Sequence, residues 1–121
     1  DDRLDGGPVP QHLMLAGGDA GVDELIARVD RGLLVSRFHY VNGLLDTRRA
    51  LMTGMTRDGL WRIEGGRLAG PAANQRWTES FLDAGRRIDG LSRERALVAG
   101  GLSECWFVCP TILVRGWKFS G

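Results

Sequence analysis

Lysine is almost missing from this sequence: of sixteen basic residues fifteen are arginine, and Lys118 is the single exception. Fifteen acidic residues balance them to a formal charge of +1. The arginines are interleaved with Asp and Glu almost throughout, so no basic stripe of the kind that tracks a phosphate backbone is present, and nucleic acid is not an expected partner. Histidine and cysteine are scarce, at two residues each. No His-Glu-x-x-His, Gly-x-x-x-x-Gly-Lys or Gly-x-Ser-x-Gly pattern occurs, which leaves no motif for a zinc peptidase helix, a phosphate-binding loop or a serine nucleophile. No window approaches the roughly 18 consecutive apolar residues of a membrane-spanning helix. The opening Asp1-Asp2-Arg3-Leu4-Asp5 is the opposite of a secretory signal. A cytoplasmic protein without membrane contact is expected, and the acidic, loop-like opening without an initiator Met points to a piece of a longer chain.

What is abundant is glycine, 18 of 121 residues, about twice the usual frequency of roughly 7%. That excess predicts many turns and strand ends. A chain of 13.3 kDa with 43% apolar residues is expected to form a single domain over residues 1–121, burying roughly two thirds of its unfolded surface without a disulfide or structural metal. Cys105 and Cys109 are four residues apart. In a strand their Cα atoms stand about 13 Å apart, beyond the roughly 7 Å limit for a disulfide, so both are expected as thiols.

Residues 1–11 read as a turn-rich lead-in with Gly6-Gly7-Pro8 and Pro10, followed by a short strand at His12–Leu15. Val22, Leu25, Ile26 and Val29 recur at helical spacing, with Asp23 and Glu24 in the first turn and Gly32 as a stop, which predicts a helix over about 22–31. Leu33–Val41 is a β-branched and aromatic run, Asn42-Gly43 a turn signal and Ala50–Met55 its partner strand. Gly59–Glu64 and Arg67–Ala69 flank Gly65-Gly66, the pair that suits a two-residue hairpin, and Pro71 ends the pairing. Thr78 as N-cap, with Phe81, Leu82, Gly85 and Ile88 on one face, predicts a second helix over 78–88. Arg95–Ala99, Cys105–Cys109 and Thr111–Phe119 complete about seven strands. The fold class is α+β: a mainly antiparallel sheet, barrel- or sandwich-like, with two short helices.

Chemistry is thin along this chain. His39 sits among strand residues, where packing or an ordinary hydrogen bond is favoured over a functional role; His12, beside a short strand, carries less still. Cys105 and Cys109 read as small core hydrophobes next to Trp106 and Phe107, although a thiolate is a good zinc ligand and Gly100-Gly101 upstream offers a mobile approach. Thr53-Gly54-Met55-Thr56-Arg57-Asp58-Gly59 is the most polar-ordered stretch, and Arg57-Asp58 before a glycine reads as a hairpin turn with an ion pair. No catalytic and no cofactor-binding residue is assigned.

The order of these pieces is distinctive. Glu24-Leu25-Ile26, Gly32 to Val41, Thr53 to Gly59, Ile63-Glu64-Gly65-Gly66, Asn74-Gln75-Arg76-Trp77-Thr78-Glu79-Ser80 and Pro110-Thr111, in that order, resemble the C-terminal region of the TldD/PmbA (TldE) family. The resemblance runs from about Pro8 to Gly121. That family comprises bacterial and archaeal peptidases also known as modulators of DNA gyrase. The resemblance implies a cytoplasmic zinc metallopeptidase whose TldD-like and PmbA-like subunits pair as dimers and cut unfolded or modified peptides in proteolysis or peptide maturation.

In zinc-bearing members two His of a His-Glu-x-x-x-His helix in the preceding region and one Cys of the C-terminal region hold the metal. By resemblance Cys105 is the one candidate metal ligand. The family's spacing before the last Pro-containing strand, however, falls near Ala96 and not at Cys105. Either Cys105 reaches the metal through a shortened loop, or the parent is of the zinc-free PmbA-like type. Zinc needs three protein ligands and an open position for a catalytic water, so this chain is expected to bind none by itself and to be inactive alone. Its implied partners are the N-terminal region of its own parent chain, a TldD/PmbA-type partner subunit and an extended peptide received by strand addition. The alternative is a β-rich binding module with no peptidase role.

Overall fold

Gly65 and Gly66 take φ of +57° and +76°, a pair of left-handed conformations that glycine adopts without a Cβ penalty. They close the predicted two-residue hairpin, with Glu64 opposite Arg67. Around it the computed structural model describes residues 11–99 and 105–121; the Gly6-Gly7-Pro8 lead-in and the Gly100-Gly101 pair lie outside the described residues. The elements are β1 (His12–Met14), α1 (Val22–Ala27), β2 (Arg31–Asp46), β3 (Leu51–Glu64), β4 (Arg67–Pro71), β5 (Arg76–Ser80), α2 (Phe81–Arg86), β6 (Ile88–Ala99), β7 (Trp106–Val114) and β8 (Phe119–Ser120).

Two sheets result, one ordered β1-β7-β6 and the other β2-β3-β5-β8 with β4 also on β3. The strand pairs are antiparallel except β1 with β7, so the fold is α+β and mainly antiparallel, with two short helices. The sheets do not close into a barrel or a tight sandwich. A groove of about 1660 Å³ lies between them, lined by Leu33, Val35 and Phe38 on one wall and Val98, Ile112 and Leu113 on the other. No helix among the described residues is long and apolar enough to cross a membrane.

Both helices are shorter than their patterns predict. The predicted 22–31 helix stops at Ala27 because distant backbone claims its next carbonyls. Gly66 N–H donates to Val29 O at 2.8 Å and Gly65 N–H to Asp30 O at 2.7 Å, and Arg31 already pairs with Glu64 in the sheet. Leu25 and Val29 are nevertheless buried, as the apolar stripe requires. At the other end Glu24 Oε1 accepts from Gly21 N–H at 3.3 Å, satisfying one orphan amide. The predicted 78–88 helix spans only Phe81–Arg86, and its cap is Ser80, not Thr78: Ser80 Oγ accepts from Asp83 N–H at 3.3 Å. Thr78 is a strand residue opposite Thr53. Phe81, Leu82 and Ile88, expected as a buried face, are 39%, 55% and 44% exposed.

Two further expectations fail for related reasons. Asn42-Gly43 is not a turn; β2 continues to Asp46, whose carboxylate accepts from Arg48 N–H at 3.0 Å and places the turn at residues 47–50. The run 111–119 is not one strand, because Gly116 takes φ +66° and Arg115 N–H bonds Arg87 O at 2.9 Å, which separates β7 from β8.

The buried apolar core is small: Ala20, Leu25, Val29, Leu60, Ile63, Trp77 and Ala84. Trp77 is its centre, with ring centroids 4.6 Å from Phe38, 5.3 Å from Trp117 and 5.8 Å from Phe81. It lies across Gly54, where an added Cβ would come within 2.6 Å of the indole; any larger residue there displaces the ring.

Candidate functional site

Two bulges interrupt the long β2–β3 pair at its middle. Val35 faces Leu60 and Arg37 faces Arg57, so Asp58 and Gly59 together stand opposite Ser36; His39 faces Met55 and Asn42 faces Thr53, so Tyr40 and Val41 stand opposite Gly54. The bulged residues Asp58 and Tyr40 take φ of +61° and +52°. A left-handed conformation in a residue with a side chain costs on the order of 1 to 3 kcal/mol and concentrates where geometry serves function.

The bulges gather five side chains. Arg37 and Arg57 are direct cross-strand partners, a placement that like charges disfavour. Asp58 stands between them as the ion-pair partner of both, its Oδ2 lying 3.0 Å from Arg37 Nε and its Oδ1 3.7 Å from Arg57 Nε. Arg57 Nη1 is 2.6 Å from His39 Nε2. Guanidinium only donates, so Nε2 accepts and the ring proton sits on Nδ1. Tyr40 packs on the imidazole with centroids 4.0 Å apart.

This setting disfavours the imidazolium. Partial desolvation of the ring, then the positive fields of Arg57 and Arg37, hold the His39 pKa below its ordinary 6.5, with Asp58 acting in the opposite sense. Between the lowered value and 6.5 the unfolded chain binds more protons than the folded one, so stability rises with pH across that window and is lost as pH falls through it. A proton NMR titration of the His39 ring is expected to give a midpoint below 6.5, and Arg57→Gln is expected to move it upward. A wild-type midpoint above the ordinary value contradicts this assignment.

The residues singled out in the sequence are distributed differently from their expectation. Arg57 and Asp58 do pair, but inside a strand and not at a hairpin turn. His39 joins them through the register of two strands. Asp-Gly in the middle of a long alternating run was the available signal of a bulge. Cys105 and Cys109 form no disulfide, and both are half-buried and not core residues; Trp106 beside them is 48% exposed. Cys109 lines the groove and lies opposite Ala96.

Cys105 immediately precedes Trp106, and Trp106 is the strand partner of His12, which brings the second histidine to the same sheet end. His12 Nδ1 accepts from Trp106 N–H at 3.3 Å, an amide that also donates to Gln11 O at 3.3 Å. Among the described residues no three His, Cys, Asp or Glu side chains come together to hold a metal. The described residues by themselves therefore do not make up the three-ligand set that zinc needs.

The groove is the other candidate. Its walls come from both sheets and from α2, it is largely apolar, and Arg37 lies on its lining beside Phe38. Trp117 stacks on Phe38 at 5.3 Å and also lines it.

The family profile of the PmbA/TldA metallopeptidase C-terminal domain matches residues 5–121. No protein of curated function matches the sequence. Among solved structures, the crystal structure of TldE from Thermococcus kodakarensis superposes with a TM-score of 0.75 at 16% identity, covering 89% of this chain and 23% of that one. At that identity the likeness concerns the fold, and this chain spans under a quarter of the TldE chain. With the profile matching almost its whole length, this chain belongs to the PmbA/TldD family, as its C-terminal domain.

Proposed function

We propose that this chain is the C-terminal part of a TldD/PmbA-type peptidase subunit, in which it walls a peptide cleft and supplies surface for pairing with a second subunit. The observation that carries the reading is the open apolar groove between β2 and β7. Large apolar side chains on its strands, Val98 at 49% and Ile112 at 39% exposure, are the surface that a peptide or a neighbouring region covers. β6 has β7 on one side; on the other, residues 18–20 bond Ser92 and Arg93, and no strand pairs with residues 94–99 among the described residues, which suits an extended peptide added there by backbone hydrogen bonds and read without strict sequence preference. Zinc in such a protein draws its histidines from the preceding region, so the chain is inactive alone. The thiol state of Cys105 and Cys109 suits a cytoplasmic setting.

A zinc-free, PmbA-like partner role is the second reading. It is favoured by Ala96, the position that the family's cysteine spacing reaches, which is an exposed β6 residue without ligand chemistry.

One experiment tests both: zinc content, peptide cleavage and the thermal transition of the full-length protein with its partner subunit. Ile112→Glu is expected to reduce cleavage about tenfold or more by charging the groove wall, with zinc content unchanged. Cys105→Ala is expected to leave zinc content unchanged at a stability cost of about 1 kcal/mol. Loss of zinc and cleavage in Cys105→Ala, with an unchanged transition, makes Cys105 the third ligand; full cleavage in Ile112→Glu removes the groove from the cleft.

A further inference from the structure

We propose that Arg37 and Arg57, braced by Asp58 at the β2–β3 bulges, form a receptor for a peptide carboxylate. The inference rests on the peptide-cleft reading and adds a recognition element to it.

Two like charges directly opposite each other in a sheet are a cost that a surface ion pair does not require. Here they are kept together by a residue held at φ +61° to reach both. Asp58 engages the Nε atom of each guanidinium, the side edge of the fork. Arg57 Nη1 is fixed by His39. The two terminal nitrogens of Arg37 and Nη2 of Arg57 have no acceptor among the described residues. The result is a set of donors with orientation already fixed, which lowers the entropy lost when an anion docks.

Charge sets the class of ligand. Two guanidiniums and one carboxylate leave one excess positive charge, because His39 is neutral at pH 7 in this environment. A monoanion matches that excess. A polyphosphate backbone does not, since it calls for a row of cations that the interleaved acidic residues of this chain interrupt. The neighbours fit a peptide: Tyr40 and Val41, at 76% and 47% exposure, are apolar surface beside the donors, and Arg37 itself lines the groove. A peptide lying along the groove can thus end, or present an acidic side chain, at the arginine pair.

The test uses the full-length protein and a fluorescent peptide in three forms: with a free C-terminal carboxylate, as the C-terminal amide, and as the amide with one internal Asp. Wild type is expected to bind one carboxylate-bearing form about tenfold more tightly than the neutral amide. In Arg37→Gln/Arg57→Gln that preference is expected to fall to near one, with the neutral amide still bound and a cooperative thermal transition retained, which shows that cleft and fold are intact. Preference for the first form assigns the C-terminus as the source, and preference for the third assigns an acidic side chain.

A preference that persists in the double variant, no preference in wild type, or displacement of the peptide by a single-stranded oligonucleotide overturns the proposal. If no form binds, the peptide-cleft reading fails, and the receptor is judged separately by thermal transitions in N-acetylglycine against N-acetylglycinamide. A rise with the acid in wild type that the double variant lacks then supports it. Equal transitions overturn it.

Discussion

Trp77→Ala is expected to unfold this domain or bring it close to unfolding. The side chain is wholly buried, and its ring contacts all three other members of the aromatic cluster, Phe38, Phe81 and Trp117. Removing a buried Trp costs about 3 to 5 kcal/mol through lost transfer energy and the cavity left behind, against a total stability of roughly 5 to 15 kcal/mol for a domain. Collapse cannot repair the void easily, since one side of the indole is the backbone at Gly54. Trp77→Phe is expected to be far milder. The Trp77 Nε1–H has no hydrogen-bond partner among the described residues, so the smaller ring loses contact area and also removes an unpaired donor, two effects of opposite sign. Urea unfolding followed by far-ultraviolet circular dichroism measures both variants. A Trp77→Ala midpoint close to wild type would show that the cluster is not the centre of the core.

Glu79→Ala is expected to cost about 2 to 4 kcal/mol. Glu79 is 3% exposed, and its Oε1 forms an ion pair with Arg87 Nη2 at 2.8 Å and accepts from Ser80 N–H at 3.2 Å, while Oε2 accepts from Lys118 N–H at 3.2 Å. One carboxylate thus ties β5 to the residue after α2 and to the approach of β8. Truncation leaves a guanidinium that is only 30% exposed and two backbone donors without their acceptor. The partial exposure of Arg87 places the effect below that of a fully enclosed pair. Glu79→Gln keeps an oxygen acceptor and the shape, so it is expected to lose about half as much, on the order of 1 to 2 kcal/mol. The same urea transitions compare them, and because the pair is shielded from solvent, added salt should change the difference little. Equal stability of the alanine variant and wild type would refute this role.

These two residues also mark how far the sequence could be read. Glu79 lies inside, and Trp77 just before, a segment whose pattern favours a helix beginning at Thr78, and nothing within it announces a strand. Pairing with Leu51–Met55 decides the matter, because a ladder of interstrand hydrogen bonds outweighs a helical propensity of a few tenths of a kcal/mol per residue.

What the sequence determined alone is what local chemistry can settle. The Gly65-Gly66 hairpin follows from two consecutive left-handed residues, the start of α1 from an acidic first turn and an apolar stripe, and family membership from six short pieces in order. Each depends on neighbours a few positions away. Only the tertiary structure decided where α1 stops, since the amides that end it come from Gly65 and Gly66. Only it brought His39 to Arg57, 18 residues distant, and Arg37 to Asp58. Those contacts arise from strand register, which two one-residue bulges shift, and a single-residue shift reverses which side chains share a face. The groove is likewise a product of how two sheets with apolar faces stand apart, a relation carried by no single segment of the chain.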